Sequence, residues 1–401
     1  MEGRTTLNFF GTELDERGLR ARTGDTSAVG GLRRFTLQDG VSAGVDVVEL
    51  RTSAGLVLDI MVGRAMDLGR CDFRGIPLAW RSGTGLRHPG LHEHHGESGL
   101  SWLRSFDGLL VTAGLDHILF AAEVDASDYQ YPPRRTTWNG LHGRVANIPA
   151  RLLRAEEVWR DGKCRLLVEG TVTQAAVFGE HLTLRRRIEA DLDGCEFHLT
   201  DTVTNEGFSR TPHMFLYHIN FGWPLVDKGT RFVAPIRRTR WYSDSVAEQR
   251  VSYHHLPAPQ PNFVEQVYEH ELVECDGQYH AALLHQRREL GVEVSWDAAA
   301  FPRFLQWLHL RQGAYAVGLE PSTHHIEGAM IAREDGQAIW LEHGQSRVYH
   351  STVRVLDGAA NLAEAARRIR SIQTQPESEV PPRVLPVEVG AGDADPDTSN
   401  R

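Results

Sequence analysis

The stretch from Cys164 to Gly207, CRLLVEGTVTQAAVFGEHLTLRRRIEADLDGCEFHLTDTVTNEG, restricts what this chain can fold into more than any other part of it. Apolar and polar residues alternate along it, which is the period of a strand with one buried face. Turn residues break the alternation at Phe178-Gly179, Asp193-Gly194 and Asn205-Glu206-Gly207, so at least three antiparallel strands joined by short connections are expected. Gly40–Val62 repeats the pattern, with two apolar, β-branched runs separated by Ser53-Ala54-Gly55, and Arg347–Leu356 is a further alternating strand. One helical segment stands out, Ala359–Ile372, with apolar residues three and four apart.

No repeat of fixed period is visible, which argues against a propeller or a solenoid. Strands run from about residue 30 to 356 without a convincing linker. The expected organisation is an N-terminal extension over 1–25, one large β-sandwich over 26–372, and a tail over 373–401. That tail is Pro-rich and then acidic, a composition that buries too little apolar surface to offset its ordering entropy, so disorder and dispensability are expected.

The 401 residues are 41% hydrophobic and 24% charged, enough for a large core. Length alone would suggest two or three domains, but large sandwiches often exceed the usual size of one. A formal net charge of -10 argues against a nucleic-acid partner. No apolar run reaches the length of a membrane-spanning helix, so no membrane partner is expected. The N-terminus lacks a basic segment followed by an apolar one, and Cys71, Cys164, Cys195 and Cys275 form no CxxC pair. Buried thiols in a reducing compartment, with the cytoplasm as the default location, are expected.

Three segments crowd polar groups beside turn residues. LHGRVANIPA (Leu141–Ala150) sets His142, Arg144 and Asn147 around a glycine. PHMFLYHINFGWPL (Pro212–Leu225) holds His213, His218 and Asn220 in apolar and aromatic surroundings. LQWLHLRQGAYAVGLEPSTHH (Leu305–His325) carries Trp307 and places Glu320 at the end of an apolar strand. A strand-end carboxylate near a buried histidine can serve as an acid/base pair, although a single histidine in an apolar strand is more often a satisfied core residue. Arg64 and Asp67 in GRAMDLG read equally as pocket lining or as an ion pair, and Asp116 and His117 in GLDH carry the same two readings. The histidine cluster HEHHGE (His92–Glu97) has neither a His-x-x-x-His helix spacing nor a cysteine partner, and it lies in a Gly/Pro-rich stretch. An exposed loop is the better reading there, and no metal or cofactor is expected.

The order HGRVAN, YHINF, GLEP resembles the order of elements in the aldose 1-epimerase (galactose mutarotase-like) superfamily. The wider pattern is closer still to its DUF4432 branch, through GRAMDLG, GLSWLRSFDGLLVTAGLDH, LHGRVANIPA, LYHINFGWPL and QWLHLRQGAYAVGLEPST. The resemblance implies an all-β fold, a large antiparallel supersandwich with few helices. It also implies a small-molecule carbohydrate partner and an isomerase that interconverts the anomers of an aldose. In such enzymes a G-R-x-A-N element contacts the sugar, an H-x-x-F element carries the acid and an L-E element the base. Carried over singly, these are Arg144 and Asn147, then His218, then Glu320. A second histidine of the superfamily has no counterpart by motif, with His142 or His117 as candidates, and LEPST stands where L-E-T-Q is usual.

Mutarotation requires a base for the proton of the anomeric hydroxyl and an acid for the ring oxygen, with the roles exchanged on closure. Glu320 as base and His218 as acid on opposite edges of one ring, in an open cleft, would meet this need. Arg144 and Asn147 would orient hydroxyls, and Trp307 would offer an apolar face. Arg64, Asp67, His117, His142, His213 and Asn220 complete the candidate lining. Two alternatives remain at this level: a lyase or isomerase of an oxidised sugar, and a carbohydrate-binding protein without catalysis.

Overall fold

The computed structural model describes residues 6–127, 135–242, 251–373 and 376–379. Two large sheets, one of eight strands and one of twelve, dominate it. The alternating stretch of the sequence forms three consecutive strands of the first, Lys163–Ala175, His181–Asp191 and Glu196–Asn205. Ser346–Asp357 pairs antiparallel with the last of these. In the second sheet, Leu110–Ala113, Leu216–Gly222, Ala314–Ser322, Arg303–Arg311 and Gln266–Leu272 lie side by side, all antiparallel. One continuous core fills the space between the sheets. It joins Val168, Leu184, Ile188 and Leu199 of the first to Leu58, Tyr217, Phe221 and Leu319 of the second. This is the expected antiparallel supersandwich, in which inner faces interdigitate.

The helix Ala359–Ile372 forms where its spacing predicts. Leu362, Ala365, Ala366 and Ile369, one stripe at helical period, pack on Val233, Ala282, Leu284 and Leu356 at one end of the eight-stranded sheet.

Both expected domain boundaries shift. Leu7, Phe9 and Leu19 enter the main core, so the N-terminal segment is part of the sandwich from its first described strand onward. At the other end, Ser378–Glu379 adds a short parallel strand to the edge strand Ile236–Tyr242. The Glu377 carboxylate accepts from Thr239 and is bonded by Tyr253 and His254. Composition does not show this docking, because one half-buried carboxylate with three partners supplies it. The remainder of the expected disordered tail, 374–375 and 380–401, lies outside the described residues. No helix among the described residues is long and apolar enough to cross a membrane. Cys71 and Cys164 are buried thiols, whereas Cys195 and Cys275 are half-buried.

Candidate active site

Strand period places the site. In Leu216–Gly222 the side chains of Tyr217, Ile219 and Phe221 enter the core between the sheets, so His218 and Asn220 project from the opposite face. In Ala314–Ser322, Val317 and Leu319 point inward, leaving Ala316, Gly318 and Glu320 on that same outer face. The register pairs Leu216 with Ser322 and Ile219 with Leu319, which sets His218 directly across from Glu320. His218 Nε2 lies 3.1 Å from Glu320 Oε1. The two atoms are close enough to exchange a proton but not aligned as a hydrogen bond, and Oε1 has no partner.

Asn220 decides which imidazole nitrogen carries hydrogen. Its amide nitrogen donates to the carbonyls of Gly108 and His218, so its oxygen faces His218 Nδ1 at 2.5 Å. Nδ1–H therefore donates to Asn220, and the Nε2 lone pair is turned toward Glu320. Burial holds His218 down to about 3, against the opposing effect of the Asn220 hydrogen bond. Burial also pushes Glu320 well above the ordinary carboxylate range, and the charge of Glu265 adds to this. Both shifts favour the uncharged forms, with the proton on the carboxyl.

Aromatic rings close over the pair. Phe106 stands 4.7 Å from the His218 ring, Trp307 5.2 Å, His142 5.7 Å and Trp102 5.9 Å. Trp307 is held by its Nε1–H, which donates to Glu265. Burial and the neighbouring His218 keep His142 neutral, well below its ordinary range. Gly318 opens the floor: a Cβ there would sit 2.6 Å from Glu320 Oε1 and 3.1 Å from His218 Cε1. Only a residue without a side chain leaves that space. The expected open cleft is instead enclosed, with Glu320 3% and His218 4% exposed. The cover is the segment of short turns from Pro89 to Arg104, in which Glu97 and Ser98 adopt left-handed backbone angles. A cavity of about 240 Å³, lined by Arg87, His92, Ser101 and Arg104 among others, lies against this segment.

The other candidates divide. Asn147 lies next to Ala146, which packs with Trp102, Phe106 and Trp307, and neither atom of its amide has a partner. Arg64 donates to the carbonyl of Ser105, the residue before Phe106. Arg144 turns away from the pair. Its guanidinium lies 3.8 Å from both Asp116 and Glu180 and donates to the Trp138 carbonyl. His117 bonds the carbonyl of Phe120 and neighbours His142 instead of His218. Asp67 and His213 are interior groups on the wrong side of the sheet for the pair. Asp67 is bound by Arg186 and by Thr112, and His213 lies between the Leu115 carbonyl and the Tyr349 hydroxyl. The expected Arg64–Asp67 pair is therefore an Arg186–Asp67 pair.

Sequence reasoning gave no role to Trp102, Phe106 or Gly318. A glycine two positions before a strand-end glutamate was a readable sign of close approach, but the two aromatic residues come from a turn segment more than 100 positions from His218. His324, four positions after Glu320, is buried against the Thr323 hydroxyl. Glu269, His325 and Glu327 offer three ligand atoms within 4.8 Å of one another, the one such group among the described residues. Both Glu269 oxygens are already engaged, by His325 and by Tyr242.

Residues 42–355 match the family model described as a domain of unknown function, DUF4432. The chain belongs to the DUF4432 family. No curated protein matches this DUF4432 chain. Among solved structures, it is similar to a proposed aldose 1-epimerase of Klebsiella pneumoniae, with a TM-score of 0.78 at 23% identity over 87% of this chain and 90% of the other. A galactose mutarotase-like protein of Clostridium acetobutylicum gives a TM-score of 0.57 at 12% identity, covering 82% and 99%. A galactose 1-epimerase of Lactobacillus acidophilus gives 0.50 at 12% identity, covering 82% and 99%. At these identities the likeness shows that the DUF4432 chain has the galactose mutarotase-like fold.

Proposed function

We propose that this DUF4432 protein is a carbohydrate isomerase that interconverts the anomers of an aldose through the His218–Glu320 pair. The observation that carries this is the 3.1 Å approach of Nε2 and Oε1 in a buried pair. Ring opening removes a proton from the anomeric hydroxyl and delivers one to the ring oxygen. Those two oxygens are bonded to the same carbon, so the acid and base must stand side by side rather than on opposite edges. Adjacent positions on neighbouring strands supply that spacing.

The resting proton reverses the expected roles. Glu320 gives its proton to the ring oxygen while His218 Nε2 accepts the one from the anomeric hydroxyl. Opening leaves Glu320 ionised and His218 protonated, ready for the reverse step, so the pair acts as a unit. After ring opening, the carbonyl carbon turns its other face and the same two transfers run backward. Trp307, Phe106 and Trp102 supply apolar surface for the C–H face of a sugar. Substrate enters by displacing the cover that carries Trp102.

NMR of freshly dissolved single anomers, over a panel of neutral and acidic aldoses, tests this. Faster equilibration of at least one sugar with the protein, lost in Glu320→Gln, is expected. Binding of sugars without any acceleration would reject the catalytic reading in favour of a carbohydrate-binding protein.

A further inference from the structure

Proton transfer by Glu320 and His218 needs no cation, yet a guanidinium is buried against Ser105, the residue before the Phe106 that packs on His218. Arg64 is 2% exposed, and the burial that encloses it pushes its pKa down. Its Nη2 donates to the Ser105 carbonyl at 2.7 Å, and Nε and Nη1 have no partner. On the other side, the Ala65 N–H donates to the Ile148 carbonyl at 2.9 Å, which ties the backbone next to Arg64 to the backbone next to Asn147. Both polar atoms of Asn147 are likewise without a partner. Arg64, Asn147 and Glu320 thus surround one aromatic cluster, each with buried polar atoms unsatisfied. Buried polar groups in folded proteins are nearly always bonded, so three such exceptions around one cluster call for a ligand.

We infer that the substrate is an aldose carrying a single carboxylate away from its anomeric carbon, a sugar of the uronic-acid class, bound by Arg64 and Asn147. This rests on the acid/base reading above. Hydroxyl groups could occupy the free N–H donors but would leave the buried guanidinium without a directly bonded counter-charge. A carboxylate provides acceptors and counter-charge together. The protein's own nearest carboxylates are committed elsewhere. Asp67 is held by Arg186 and Thr112, and Asp107 by Arg81 and the Ser82 N–H. Their field also opposes a doubly charged group, which favours a carboxylate over a phosphate. The Asn147 amide adds a donor for the second oxygen.

The test compares matched pairs, D-glucuronate with D-glucose and D-galacturonate with D-galactose, by exchange NMR on the full chain. The wild-type protein should show a higher kcat/KM for at least one uronate than for its neutral partner. In Arg64→Gln that preference should fall about tenfold or more, chiefly through KM, because a charge-assisted hydrogen bond is lost. Arg64→Lys and Asn147→Ala, each checked for intact thermal unfolding, should reduce it by less. Neutral sugars turned over as well as the uronates would overturn the inference and leave the isomerase reading standing. An unchanged preference in folded Arg64→Gln would overturn it too. Absence of turnover on every sugar would instead remove the isomerase reading, and this inference with it.

Discussion

Arg186 and Arg64 are the two buried arginines among the described residues, and their surroundings could hardly differ more. Arg186 lies between the sheets and is saturated. It makes a two-pronged contact with Asp201, an ion pair with Asp67 at 2.9 Å and a hydrogen bond to Thr112, while the Tyr217 hydroxyl donates to Asp201. Burial lowers its pKa, but Asp201 and Asp67 more than offset this and raise it. Arg64, on the aromatic side, has one carbonyl and nothing to oppose the effect of burial except the distant charges of Asp67 and Asp107. The first cluster joins Arg186 and Asp201 of one sheet to Tyr217 and Thr112 of the other. The second joins nothing that the fold itself needs. The complete network ties the two sheets together, and the incomplete one carries the ligand proposal made above.

That contrast breaks first on stability. Arg186→Met should cost about 3–5 kcal/mol, since it leaves Asp201 and Asp67 buried and unpaired. Arg64→Met should be near neutral, because it removes an uncompensated charge. Chemical denaturation of both variants checks this, and equal losses would make Arg64 a structural residue. Next in size is the effect on turnover. Glu320→Gln and His218→Asn should each slow anomer exchange by about 10²-fold or more with unfolding curves unchanged. A Glu320→Gln protein of full activity would move the chemistry away from this pair.

Gly318→Ala sharpens the comparison further. Its methyl would sit 2.6 Å from Glu320 Oε1, filling the floor of the incomplete cluster without touching the complete one. A roughly tenfold loss of kcat/KM is expected, with little change in stability. Full activity would mean the ligand does not use that space. The smallest effect is on pH. The active form has one proton on the pair, gained on Glu320 and absent from His218. Acidification removes the acceptor only as pH falls toward about 3, and alkalinisation removes the donor only above the raised Glu320 value. The kcat/KM profile should therefore be flat through 6.5, where a solvated histidine titrates. An inflection there would show that His218 is wetter than its surroundings imply.

Strand period and turn residues were enough to place Lys163–Ala175, His181–Asp191, Glu196–Asn205 and the helix Ala359–Ile372, because such patterns are local and each carries its own register. His218, Asn220 and Glu320 were also readable as candidates, from short segments that mix polar groups into apolar strands. What those segments could not reveal is which face each side chain takes. Every residue of Leu216–Gly222 is buried, so the alternation that marks a half-exposed strand is absent. His213 and His218 therefore look alike in sequence, five positions apart. Only pairing with strands from elsewhere in the chain sends one to Tyr349 in the interior and the other to Glu320. The same limit explains Asp67, which sits three positions from Arg64 but is bound by Arg186, 119 positions away. Local patterns were enough for the strands, the helix and the residues proposed to move protons. Tertiary structure alone decided which buried charges are satisfied, because that depends on distant strands crossing at one point, where no local pattern records the partner.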